Sequence, residues 1–225
     1  MGVIITLLFF LSIVLIYDYV RDINLLRTVT GLNRGTRSER DFILRLLKNG
    51  FSSNNIFHDL YIEKKDGTYS QVDIVVITEV GIIVVEVKDF SGWIFGFGNN
   101  EKWVQFLGKM KYSFYNPVLQ NEGHIRSLKN QHVEFNNLPF YSLIVFYGNC
   151  ELKKISNIPE GTIVIKNNTI IGTINSILKN RNYSNGFNDS KILEILNNGV
   201  LNGGKKEIKF QHIQNIIMYS NSKRQ

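Results

Sequence analysis

The sequence predicts an α/β protein carried behind one membrane-spanning helix. Three observations predict it. An uncharged apolar run stands near the N-terminus, two strongly apolar β-branched segments lie back to back between Gln71 and Lys88, and helices with well-marked starts at Thr36 and Asn116 stand on either side of that pair. Composition agrees: 44% hydrophobic and 20% charged residues over 225 positions is a globular balance, long enough for one sizeable core. The formal net charge of +7 favours an anionic partner, nucleic acid or an acidic membrane surface, without choosing between them. A single cysteine, Cys150, excludes an intrachain disulfide framework and a cysteine zinc cluster.

The elements follow in order. Val3 to Tyr17 is apolar and uncharged, and an extension to Val20 adds only Asp18. At 1.5 Å per residue the run covers ~22 Å and the extension ~27 Å of the ~30 Å hydrocarbon layer, so a short span is predicted over residues 1–20. Tyr17 and Tyr19 suit the interface. The rivals are a secretory signal peptide and a buried helix. No Lys or Arg precedes the run and no small-x-small cleavage site follows it, which favours an uncleaved anchor. Arg21, Arg27, Arg34 and Arg37 come after the span, so the positive-inside bias places the globular part in the cytoplasm: a single-pass protein of the cell membrane. Residues 21–35 read as a juxtamembrane connector, partly helical.

Thr36-Arg37-Ser38-Glu39 has the form of a capping box and predicts a helix through about Lys48, closed by Asn49-Gly50. Glu39 lies three and four residues before Phe42 and Ile43 and shares their buried face, either as a cap or as a site residue. A strand is expected around His58 to Ile62, with Lys64 to Gly67 as the turn into the central pair, Val72 to Ile77 and Ile82 to Val87. Gly92 to Phe97 and Lys102 to Leu107 read as strands around a Gly98-Asn99-Asn100 turn. Their aromatics, Trp93, Phe95, Phe97, Trp103 and Phe106, are assigned to core in preference to base stacking.

Asn116-Pro117 starts a helix that should reach about His132, because Asn caps and Pro suits the first helical position. Gln120, His124, Ser127 and Gln131 form a polar stripe along it, and His124 is read as an ordinary polar surface residue before a metal ligand. Strands at Tyr141 to Tyr147 and Thr162 to Lys166, and helices near Ile171 to Lys179, Lys191 to Leu196 and Glu207 to Met218, complete the pattern, with a polar loop from Asn180 to Ser190. Lys205, Lys206, Lys209, Lys223 and Arg224 read as a solvated basic face or tail.

Chemistry concentrates in the central pair. Residues two apart on a strand share a face, so Glu86 and Lys88 lie side by side. If Ile77 faces Ile82 across the Thr78-Glu79-Val80-Gly81 turn, the register sets Asp73 opposite Glu86. Two carboxylates and an ammonium then converge, and facing carboxylates repel unless a cation lies between them. A half-exposed hairpin with one salt bridge is the simpler alternative, but its faces would alternate with polar residues and these do not. Carboxylate, carbonyl and water oxygens suit Mg²⁺ or Mn²⁺ better than zinc. Because repulsion is relieved, Asp73→Asn with Glu86→Gln is expected to abolish Mn²⁺ binding and leave the fold intact.

Asp73 followed by Glu86-Val87-Lys88 resembles the D…ExK core of the PD-(D/E)XK nuclease superfamily. More closely, QVDIVVI, then GIIVVEVKDFSGWIFG and Trp103, with Gln71, Gly81, Ser91-Gly92 and Gly96 in place, resembles the nuclease-related domain (NERD) family. The likeness covers Thr36 to Leu152 and, more loosely, the chain to Lys179. It implies a restriction-endonuclease-like fold over 36–180, a mixed sheet of about five strands flanked by helices; beyond it the helices read near Lys191 to Leu196 and Glu207 to Met218 make 181–225 a helical extension. It also implies processing of DNA or RNA, with Asp73, Glu86, Lys88 and Gln120 in the catalytic set and Asp73, Glu86 and Glu39 as metal ligands. Glu39 takes the place of the family's first-helix glutamate, although the usual preceding glycine is Ser38. The alternative is a membrane-tethered module that binds nucleic acid or protein without cleaving anything.

Overall fold

The computed structural model describes residues 2–179 and 190–222. Its first helix, α1 (Gly2–Arg27), is long and apolar enough to cross a membrane, and the apolar window within it is wholly unburied, unlike a core helix. The helix continues past Val20 to Arg27. Its last turns dock on the globular part, where Leu26 is buried and Lys48 Nζ donates to Asp22 at 2.5 Å. The connector is therefore helical over its first half. Helix α2 (Arg37–Lys48) begins as its capping box predicts, with the Glu39 N–H donating to Thr36 Oγ1 at 3.2 Å, and buries Phe42, Ile43 and Leu46.

Among the described residues, five strands form the main sheet in the order β1-β2-β3-β7-β9. These are β1 (Ile56–Glu63), β2 (Tyr69–Thr78), β3 (Gly81–Asp89), β7 (Phe140–Tyr147) and β9 (Thr162–Lys166). The first three form an antiparallel meander, whereas β7 and β9 add in parallel. Central strands covered on both faces read as continuous apolar runs, which is why β3 lacks alternation. One face packs on α2 and α4 (Ile170–Leu178) through Ile83, Val85, Phe42 and Ile174. The other packs on α3 (Pro117–Lys129) and α5 (Ser190–Asn202) through Ile82, Val84, Leu128 and Leu196. Helix α6 is Lys206–Ser222. Of the expected polar loop, residues 180–189 lie outside the described residues, as do Lys223 and Arg224, while Ser190 opens α5.

A second sheet of four strands, ordered β6-β5-β4-β8, was not expected. Strands β4 (Gly92–Phe97) and β5 (Lys102–Leu107) are as predicted, and they recruit β6 (Met110–Tyr115) and β8 (Cys150–Ser156). Those two carry lysines and largely exposed side chains, so neither shows an apolar run. The small core between the sheets holds Ile94, Trp103, Val118, Ile144 and Phe146, with the Trp103 and Phe146 rings stacked 2° from parallel. A Cβ on Gly96 would lie 2.2 Å from the Trp103 ring, so this strand position admits only glycine. The assignment of the aromatics to core holds for Trp103 but not for Trp93 and Phe97, which are exposed.

Helix α3 stops at Lys129, short of His132, because His132 instead caps the short 3-10 turn Val133–Asn137. Its start is tied down firmly: the buried Asn116 side chain accepts from Val118 N–H at 2.9 Å and donates to Gly98 and Asn100 carbonyls at 2.7 Å each. Asn121 then donates to Val84 O at 2.8 Å and to Ser142 Oγ at 2.9 Å. These bonds set the register of α3 over β3, and with it the placement of Gln120 and His124.

Candidate active site at the end of the central hairpin

Ile77 pairs with Ile82, as predicted, and the β2–β3 ladder runs to Ile74 and Val85, so Asp73 and Glu86 occupy the next row. There the backbone pairing gives way. Val87 N–H donates to Asp73 Oδ2 at 2.9 Å, a side-chain oxygen standing in for the strand's carbonyl. On the other edge of β2 the ladder is interrupted at Asp59, which has φ 55 in the left-handed region. Across that point Ile56, Ile74 and Val76 belong to the α2-side core, but Leu60, Ile62 and Val72 belong to the α3-side core. Both strands thus roll over at Asp59 and Asp73, and the simple alternation assumed from sequence fails at the site itself.

Glu86 is almost wholly buried and accepts from both sides. Lys88 Nζ lies 2.5 Å from Oε1, and His124 Nε2 lies 3.2 Å from Oε2. A carboxylate acceptor requires a His124 proton on Nε2, and the other ring nitrogen, Nδ1, meets the Ser70 hydroxyl at 2.9 Å. Lys88 Nζ also donates to Gln120 Oε1 at 3.0 Å. Glu86, Lys88 and Gln120 are therefore assembled, and His124 joins them as a buried partner of Glu86, contrary to its reading as a surface residue. The signal was present in its spacing, one turn after Gln120 on the same polar stripe.

Glu39 takes part in the helix cap and also meets a buried histidine. Its Oε1 accepts from the Thr36 hydroxyl at 2.7 Å, and its Oε2 accepts from His58 Nε2 at 2.9 Å, while His58 Nδ1 meets Thr30 Oγ1 at 2.7 Å. Sequence reasoning missed His58 and Asp59, which look like ordinary strand polar residues. Asp59 is a buried junction: Arg34 Nε at 3.2 Å, Lys209 Nζ at 2.9 Å and Gln71 Nε2 at 3.3 Å all donate to its carboxylate. Lys209, read as part of a solvated basic face, is thus a structural tie between α6 and β1. Beside the cluster an open groove of about 810 Å³ is lined by Gln120 and His124 together with Lys64, Lys65, Tyr115 and Arg126.

Residues 34–147, from the connector through β7, match the nuclease-related domain. The chain belongs to the NERD family. A curated Bacillus anthracis protein described only as uncharacterized is 34% identical over 101 residues, 45% of this chain and 47% of that protein. The chain thus spans about half the length of the relative it matches. No solved structure matches it.

In this NERD domain the two core carboxylates are treated in opposite ways. Burial raises the Asp73 carboxyl well above its usual range, and the nearby charges of Glu86 and Glu39 push it further. For Glu86 burial also opposes ionisation, but the His124 hydrogen bond and the Lys88 charge outweigh it and hold the carboxyl below its usual range. Glu39 is lowered likewise, its burial outweighed by hydrogen bonds from His58 and Thr36. Among the described residues no group of three or more His, Cys, Asp and Glu side chains is arranged to hold a metal ion. The donor chemistry nevertheless fits a hard cation: oxygen donors converge, and Asp73 bears a like-charge penalty that a cation relieves.

Proposed function

We propose that this NERD protein is a membrane-anchored phosphodiesterase that cuts nucleic acid with Mg²⁺ or Mn²⁺, its globular part on the cytoplasmic side. The observation that carries the reading is the convergence of Asp73, Glu86, Lys88 and Gln120 beside an open groove. Asp73 and Glu86 would hold the cation. Glu39, held by His58 and Thr36 much as Glu86 is held by His124 and Lys88, would assist them. When bound, such a cation supplies Lewis acidity toward the phosphodiester and acidifies water.

The chain's own residues do the positioning. A charged lysine has three N–H groups, and Lys88 commits two, to Glu86 and Gln120. The third is available to a non-bridging phosphate oxygen, where negative charge grows in the transition state. Gln120 fixes the ammonium, and His124 with Ser70 fixes Glu86, all three from the groove wall. The full-length chain in detergent micelles should cleave at least one of single- and double-stranded DNA and RNA with Mg²⁺ or Mn²⁺, and lose that activity in chelator. Binding without cleavage across that panel would favour the second reading, a tethered binder, for which the direct Lys88–Glu86 pairing speaks.

The same proposal includes topology. Arg21, Arg27, Arg34 and Arg37 all follow the apolar stretch of α1. A reporter fused after Gln225 is expected to behave as cytoplasmic, with the intact chain in the membrane fraction. A processed N-terminus, or reporter activity outside the cytoplasm, would make the helix a signal sequence instead.

A further inference from the structure

The outer face of the second sheet is aromatic, basic and half open. Pairing sets Trp93 opposite Phe106 and Phe95 opposite Val104, while Lys102 faces Tyr115 and Phe106 faces Lys111, so all of these side chains share one face. The other face carries Ile94 and Trp103 into the core. Trp93 is 52% exposed and Tyr115 49%, whereas Phe95 and Phe106 lie edge to face beneath them with centroids 5.5 Å apart.

A bulge tunes this face. Leu152 pairs with Ile94 and Lys154 with Phe95, leaving Lys153 as the extra residue of β8. Bulges re-aim side chains, and here two successive lysines are brought onto aromatic rings. Lys153 Nζ lies 4.9 Å from the Trp93 ring centroid and Lys154 Nζ 5.7 Å from that of Phe97. Glu151 pairs with Lys153 at 2.6 Å, an exposed contact that a phosphate can replace.

We infer that this face is a stacking platform for a single-stranded polynucleotide, which it passes through Tyr115 into the groove beside Lys88. The occupant follows from chemistry and continuity. Open aromatic rings take unpaired bases, and lysines beside them take the phosphates. Tyr115 belongs to the sheet face and to the groove wall together, and the groove adds Lys64, Lys65 and Arg126 before reaching Gln120 and His124. A duplex hides its base faces and cannot use such a platform. The assignment extends the nuclease reading, from which it takes a polynucleotide as the occupant.

The chain carries two tryptophans, Trp93 exposed and Trp103 buried, so emission separates the platform from the fold. The test uses the full-length chain in detergent micelles, in chelator so that nothing is cut, titrated with an oligothymidylate, a hairpin duplex and anionic phosphatidylglycerol vesicles. The single strand should quench the solvent-exposed tryptophan emission. Followed by anisotropy of a labelled oligothymidylate, Trp93→Ala, Phe97→Ala and Tyr115→Ala should each weaken its affinity about ten-fold, within the range for loss of one base stack, with Trp103 emission unchanged. Lys153→Gln with Lys154→Gln should flatten the slope of log affinity against log salt by about 1.4, near 0.7 for each lost phosphate contact.

Affinity unchanged in the three aromatic variants, equal binding of the duplex, or quenching by vesicles but not by the oligonucleotide overturns the platform. Cleavage is scored separately. A chain that stacks the strand on Trp93 but cuts nothing with Mg²⁺ or Mn²⁺ keeps the platform and removes the nuclease reading. One that cuts at the wild-type rate with Trp93→Ala and binds unchanged does the reverse.

Discussion

Replacing Lys88 by alanine is expected to lower turnover about 10²- to 10³-fold while leaving nucleic-acid affinity within about three-fold of wild type. The magnitude is that of removing one preorganised donor from a developing oxyanion. The asymmetry follows from geometry. Lys88 lies behind the groove-lining Gln120, its ammonium held between Glu86 at 2.5 Å and Gln120 at 3.0 Å, so it reaches one phosphate and not the length of a strand. A cation with fixed direction stabilises the transition state more than the ground state, and such a residue lowers kcat and kcat/KM together.

Loss of Lys64 and Lys65, which only line the groove, should instead weaken binding in a salt-dependent way and leave kcat little changed. Lys88→Gln separates charge from packing, since it keeps most of the side chain's length and a polar end but carries no charge. Cleavage rate and anisotropy titrations at two salt concentrations distinguish these outcomes. Equal losses of binding and turnover in Lys88→Ala would make Lys88 a substrate-binding residue and remove it from the chemistry.

Much of the site was legible because its local rules are strong. The register of the central hairpin followed from the apolar pattern and a four-residue turn, and it holds from Thr78–Gly81 to Ile74–Val85, one row short of Asp73 and Glu86. Capping chemistry located the starts of α2 and α3, and so placed Glu39 and Gln120. What was not legible depends on tertiary contacts. His124 looks like a surface histidine until Asn121 sets α3 over β3 and turns it onto Glu86. The roll of β1 and β2 at Asp59 depends on Arg34 and Lys209, which are distant in sequence and together hold a charged residue in the left-handed region. Strands β6 and β8 have no apolar run because nearly all of β6 and the lysines of β8 are left to solvent.

Asp73→Asn and Glu86→Gln, in contrast, are expected to change the stability of the metal-free protein in opposite directions. Both carboxylates sit in one row, and repulsion alone would predict that either substitution is tolerated. Their partners separate them. Asp73 binds its proton more tightly in the folded state, so its contribution is present below the unfolded value near 3.9 and is lost as pH rises through the raised folded value. At neutral pH the asparagine removes that penalty and keeps an oxygen for Val87 N–H. A rise in Tm of about 2–4 °C is expected, the response of a domain of this size to roughly 1 kcal/mol.

Glu86 is the reverse case. Its folded value is lowered, so its contribution is present above the unfolded value near 4.3 and is lost as pH falls through the folded one. Glutamine would leave the Lys88 ammonium beside a neutral amide and His124 without its acceptor, which costs about 3 kcal/mol, the lower end for a broken buried pair because Lys88 is partly exposed. A fall in Tm of about 6–12 °C should follow at pH 7 and shrink toward acid pH. Thermal melts of both single variants and the double from pH 4 to 8, without metal and then with Mg²⁺, measure this. Added Mg²⁺ should raise the wild-type Tm and neither variant's, since ligand binding stabilises only the form that holds the ligand. Destabilisation by Asp73→Asn, or stabilisation by Glu86→Gln, would reverse the roles assigned to the two carboxylates.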